Sequence, residues 1–163
     1  MRALCLTLLL MAQPVLAQDF SYDPAVLTAC LSAQKDQPDS CIGKASGLCM
    51  EGEGGSSTVG MVSCLGAEAD QWDEHLNAAY ETVLAESERT DAEMKQLGSA
   101  ADPEVPALHE MQRSWIAFRD AACSYEASRW GGGSGAGPAA TGCVMQLTAR
   151  QALRLMGYAD TQR

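Results

Sequence analysis

Apolar residues recur at steps of three and four along most of this chain, and no run alternates with period two among β-branched residues. Leu108, Met111, Trp115, Phe118, Ala122 and Tyr125 form one such stripe, within a helix predicted from about Pro103 to Arg129. A longer stripe runs through Met61, Leu65, Ala69, Trp72, Leu76, Tyr80 and Val83. It predicts a helix from Thr58 to about Ser87, roughly 45 Å long, with Ser57 or Thr58 as its cap. Between these two helices, Arg89 to Ala101 offers only Met94 and Leu97 as anchors, enough for one loose turn before Gly98.

The flanks are shorter. Asp23-Pro24 is a helix-start signal, because aspartate can cap and proline suits the first helical position. A helix is expected from Pro24 to about Lys35, with Val26, Leu27, Cys30 and Leu31 inward. Asp36 to Ser40 reads as a turn. Cys41 to Cys49 reads as a helical turn broken by Gly43 and Gly47, and Glu51 to Ser57 is too glycine-rich for regular structure. Trp130 to Pro138 (WGGGSGAGP) reads as a flexible loop. A last helix is expected from about Ala139 to Tyr158, with Cys143, Leu147, Leu155 and Met156 inward. These elements predict an all-α fold without a sheet: a small antiparallel helical bundle. The Leu108–Tyr125 helix is expected at its centre, with Trp115 and Phe118 facing Trp72, Leu76 and Tyr80.

Composition adds a compartment. Arg2 followed by the short apolar run Ala3 to Ala12, with Val15-Leu16-Ala17 after Pro14, reads as a signal peptide cut after Ala17. The run is well under the roughly 20 residues of a membrane span. Cys5 precedes the apolar run, so it is not a lipid-attachment cysteine. Six cysteines remain beyond it: Cys30, Cys41, Cys49, Cys64, Cys123 and Cys143. An even number in an oxidising compartment implies disulfides, but spacing alone does not choose among the pairings. His75 and His109 are not spaced with cysteines as zinc ligands are, so no metal site is expected, and both histidines read as solvent-exposed.

The chain is acidic, with 21 Asp+Glu against 11 Lys+Arg and a net charge of −10. Loss of the leader would remove one cation, Arg2, and no acid. Such a surface repels nucleic acid and anionic lipid and attracts basic partners.

From Cys49 onward the residues fall into two blocks. One is Trp72-Asp73 with Leu76-Asn77 and Tyr80; the other is Gln112-Arg113, Trp115, Phe118-Arg119-Asp120 and Cys123. Cys143, Thr148, Arg150 and Leu155 follow. In this order they resemble the LprI-type lysozyme-inhibitor family of small exported bacterial proteins. The resemblance implies an all-α domain over residues 49–158, the pairs Cys49–Cys64 and Cys123–Cys143, and by remainder Cys30–Cys41. Residues 18–48 would then form an N-terminal helical extension and residues 159–163 a tail. The resemblance also implies non-covalent binding to a basic lysozyme, by a protein read as a monomer.

The polar residues Asp73, Asn77, Arg119, Asp120 and Arg150 admit two readings: a ligand-contacting cluster, or a hydrogen-bonded network fixing the register of two helices. The second is favoured, because the same helices carry apolar stripes that must be buried. Trp130, Gly132, Gly133 and Ser134, closed off by Cys123–Cys143, could form a protruding binding loop; the plainer reading is a solvated linker. No carboxylate pair, nucleophile motif or phosphate loop stands out, so no catalytic residue and no cofactor is assigned. The other functional reading is a periplasmic interaction module that does not act on lysozyme.

Overall fold

The computed structural model describes residues 20–161; the expected signal peptide lies outside them. Among the described residues five helices follow one another: α1 (Pro24–Ala33), α2 (Lys44–Glu51), α3 (Thr58–Gln96), α4 (Glu104–Ser128) and α5 (Ala136–Thr161), with a 3₁₀ turn at Pro38–Cys41 before α2. Among the described residues there is no strand.

The start signals act as the sequence suggests. The Asp23 carboxylate accepts the Ala25 N–H at 2.9 Å, with Pro24 as first residue of α1. The Ser57 hydroxyl accepts the Gly60 N–H at 3.0 Å to open α3. Gly43 supplies the left-handed conformation, φ 84°, from which α2 begins.

Helix α3 does not end near Ser87. It runs unbroken through the segment expected to be a loose turn and stops at Gln96, where Gly98 turns left-handed and Ser99 N–H bonds the Met94 carbonyl at 3.0 Å. At 39 residues it is about 58 Å long. The last turns have a second task. The Asp91 carboxylate accepts the N–H groups of Glu104 and Val105, at 2.7 and 3.1 Å, and so caps the start of α4. A cap supplied from another helix cannot be read from local periodicity. Helix α5 is likewise longer than expected at both ends; Ala159, placed in the tail by sequence, is buried in the core.

The core lies mainly between α3 and α5. Ala69, Trp72, Leu76, Ala79 and Val83 of α3 meet Met145, Ala149, Ala152, Leu155 and Ala159 of α5. Alanines on both faces let the two helices approach closely along their length. Leu27, Cys41 and Ala45 join the same core, so the N-terminal extension packs as part of the bundle. Helix α4 is not central. It packs chiefly on α5 and buries only Leu108 and Cys123 fully. Trp115 is half-buried against the core, but Phe118 is 60% exposed and Tyr125 66%, so Phe118 does not face Trp72.

Three disulfides join Cys30 to Cys41, Cys49 to Cys64 and Cys123 to Cys143. They tie α1 to the 3₁₀ turn, α2 to α3, and α4 to α5.

Candidate binding surface

The lower half of α4 and the first half of α5 diverge in side-chain size. Helix α5 offers Ala139, Gly142 and Cys143 here, while α4 offers Phe118, Ala122 and Tyr125. The Cys123–Cys143 bond fixes the two helices together with Cα atoms 5.3 Å apart. The small side of α5 cannot fill the space beside the large side of α4. A groove of about 830 Å³ results, closed at one end by Trp130 and lined also by Pro138 and Leu147. Phe118, Tyr125 and Trp130 are each more than half exposed. This exposed aromatic surface, gathered on one face, makes the groove the candidate binding surface.

The connection between α4 and α5 is built from successive turns rather than a loose linker. Gly133 N–H bonds the Trp130 carbonyl at 2.8 Å, and Ala136 N–H bonds that of Gly133 at 3.1 Å. Gly131 and Gly132 take positive φ, 54° and 82°. The Trp130 ring lies over Gly135 so closely that a Cβ there would stand 2.2 Å from ring carbons. Gly132, Gly133 and Ser134, named as binding residues by sequence, therefore form the tip of a shaped turn beside the groove, and Trp130 is its wall.

The polar residues do not meet as a network across α3 and α4. The Asn77 amide donates to Asp73 at 2.9 Å along α3, in solvent. Arg119 donates to its neighbour Asp120, from Nε at 3.0 Å and Nη2 at 2.9 Å, and its guanidinium lies 4.9 Å from the centre of the Trp115 ring. The polar link between helices is a different one: Gln151 Nε2 donates to Gln112 Oε1 at 3.1 Å, joining α5 to α4. Arg150 stands exposed on α5, beside a smaller cleft. His75 is half-buried, its ring edge-on to Trp72 at 5.9 Å, and His109 is half-buried too, so neither is fully in solvent. Among the described residues no group of three metal-ligating side chains comes together.

The sequence reading passed over Glu68. Its side chain is fully buried, and its carboxylate accepts the N–H groups of Gly43 at 2.6 Å and Ser46 at 2.7 Å and the Trp72 indole N–H at 3.0 Å. A carboxylate at a helix N-terminus satisfies free backbone donors and opposes the helix dipole, so Glu68 pins α2 onto α3. The signal was present: Cys64, Glu68 and Trp72 share one face at steps of four, an acid set in an apolar register. Nearby, the Tyr22 phenol donates to Gln71 at 2.5 Å; burial first, then the Glu68 and Asp23 carboxylates, push its ionisation above the usual range. On the outer face of α4, hydrogen bonds from Arg113 and Ser114 hold the Glu110 carboxyl below the usual carboxylate range.

Residues 49–155, from the first cysteine of α2 to the core leucine of α5, match the model of a family described as Lysozyme inhibitor LprI. The chain belongs to this family. The matched span holds both helices of the groove, the connection between them and two of the three disulfides. An uncharacterized protein of Rhizobium meliloti (strain 1021) is 32% identical over 83 residues, which is 51% of this chain. The chain covers 60% of that relative's length. No solved structure matches. The family description names inhibitors rather than enzymes. The three disulfides are compatible with export, and among the described residues no helix is long and apolar enough to cross a membrane.

Proposed function

We propose that this protein is an exported, periplasmic or secreted inhibitor that binds a basic lysozyme non-covalently, as a monomer, through the groove between α4 and α5. The observation that carries this reading is the groove itself. Phe118, Tyr125 and Trp130 stand exposed around it, on a chain of net charge −10. Aromatic anchors supply contact area at small entropic cost, and binding energy concentrates on such residues. The net negative charge of the chain speeds encounter with a basic enzyme, an effect that salt screens. Trp130, Gly132, Gly133 and Ser134 are the part of the surface that protrudes toward the partner. Asp73, Asn77, Arg119 and Asp120 act as local pairs on helix surfaces rather than as contacts.

The test is the rate at which a basic lysozyme lyses cell walls in the presence of the purified mature protein. Lysis slows at micromolar protein, and slows more at low salt than at high. Unchanged lysis at a micromolar excess overturns the reading in favour of an envelope interaction module with another ligand.

A further inference from the structure

Six arginines lie among the described residues, and four of them are paired: Arg89 with Glu86, Arg113 with Glu110, Arg119 with Asp120, and Arg129 with Glu126. Arg150 and Arg154 have no carboxylate within ion-pair distance among those residues, although the chain carries 21 acids. They stand one turn apart on α5, where like charges repel. Both are exposed, and both line one cleft of about 250 Å³ together with Trp115, Phe118, Leu147 and Gln151. Gln151 is only 4% exposed and is held by Gln112, so its amide is a fixed polar group at this cleft. Arg150 and Arg154 thus bring two unpaired guanidinium groups to one cleft with an indole and a phenyl ring, in a chain of net charge −10.

The chemistry narrows the ligand. Guanidinium groups bind carboxylates with paired hydrogen bonds. Aromatic faces take the C–H face of a ring. The cleft is open, so the ligand keeps a polar edge in water; an entirely apolar ring would call for a closed pocket. Phe118 and Leu147 also line the large groove, so the two spaces are continuous along α4 and α5. A ligand anchored at the arginines could extend ring by ring toward Tyr125 and Trp130.

We propose that this cleft binds a carboxylate-bearing pyranose, with the carboxylate on Arg150 and Arg154 and the sugar ring against Phe118, next to Trp115, whose ring already carries the Arg119 guanidinium. The cleft shares Phe118 and Leu147 with the larger groove, but its ligand is held by Arg150 and Arg154, and the proposal does not depend on lysozyme inhibition.

The test is an NMR titration of the purified mature chain with three probes. N-acetylmuramic acid carries both ring and carboxylate, N-acetylglucosamine the ring alone, and acetate the carboxylate alone. The Trp115 indole N–H shifts on addition of N-acetylmuramic acid. Either of the other probes binds at least about tenfold more weakly. The doubly substituted chain R150Q/R154Q, altered only at exposed positions, keeps its spectrum and also loses about tenfold or more in affinity. Equal binding of the neutral sugar, equal binding of acetate, an unmoved Trp115 resonance or an unimpaired double variant each overturns the proposal. No lysozyme enters the experiment, so its failure and the failure of the inhibition reading are separate results.

Discussion

Helix α5 has two neighbours and treats them differently. Toward α3 it presents Ala149, Ala152, Leu155 and Ala159, all buried, and the seam closes. Toward the lower part of α4 it presents Ala139 and Gly142 opposite Phe118 and Tyr125, and the seam stays open as a groove. Both faces of α5 are rich in small residues. What differs is the partner: α3 brings its apolar residues inward, whereas α4 turns Phe118 and Tyr125 outward. Small residues on a helix therefore close a core or leave an open groove, according to what the facing helix offers. Stability should depend on the α3–α5 seam and recognition on the α4–α5 seam.

That division can be broken by substitution. Trp72 is fully buried in the closed seam and donates its indole N–H to Glu68. Trp72→Ala should destabilise by about 3–5 kcal/mol, measured by urea unfolding, and leave the Glu68 carboxylate short of a donor. Replacing both Cys123 and Cys143 by serine opens a ring with a sequence separation of 20 and should cost about 3 kcal/mol in the same assay. If that double variant also loses lysozyme inhibition while still folded, the disulfide shapes the groove as well as the stability. Phe118→Ala with Tyr125→Ala should change stability by less than about 0.5 kcal/mol each, since both side chains are exposed. The same pair should weaken lysozyme inhibition by about tenfold or more. A large loss of stability there would erase the distinction between the two seams.

The smallest effect tests the N-terminal side of the bundle by pH. The Tyr22 phenol ionises above its ordinary value of 10.0 in the folded chain. A raised value means that its contribution is complete below pH 10.0 and is lost as pH rises beyond it toward the folded value. The melting temperature of the native chain should therefore fall on raising the pH above 10.0, and the fall should be shallower in Tyr22→Phe. Equal slopes would show that the phenol is not linked to folding.

Much of this fold is legible in the chain. Periodicity locates the helices, and Asp23-Pro24 and Ser57 mark two of their starts. The absence of period-two runs gives the all-α class, and the family resemblance implies two cysteine pairs and leaves Cys30–Cys41 as the remainder. Two things escape. A periodic stripe says that a helix has an apolar face but not which neighbour covers it. Periodicity alone places the whole α4 stripe in the core, whereas Phe118 and Tyr125 lie outside it. The second is the long-range polar contact. Asp91 caps a helix that begins 13 residues later, and Glu68 caps one that lies 22 residues before it. In each case donor and acceptor belong to different helices, so the period of neither helix reports the contact. The binding surface shared this fate in part: the glycine connection could be named from sequence, but the groove beside it exists only because α5 is small where α4 is large.

The three cysteine pairs follow one another along the chain without overlap, at separations of 11, 15 and 20 residues. A chain threaded N-terminus first through a pore would present Cys41 when Cys30 is already across, Cys64 when Cys49 is, and Cys143 when Cys123 is. Each second cysteine arrives to find its partner as the nearest one in sequence. Oxidation in order of emergence would thus give the native rings directly, with little work left for thiol–disulfide reshuffling.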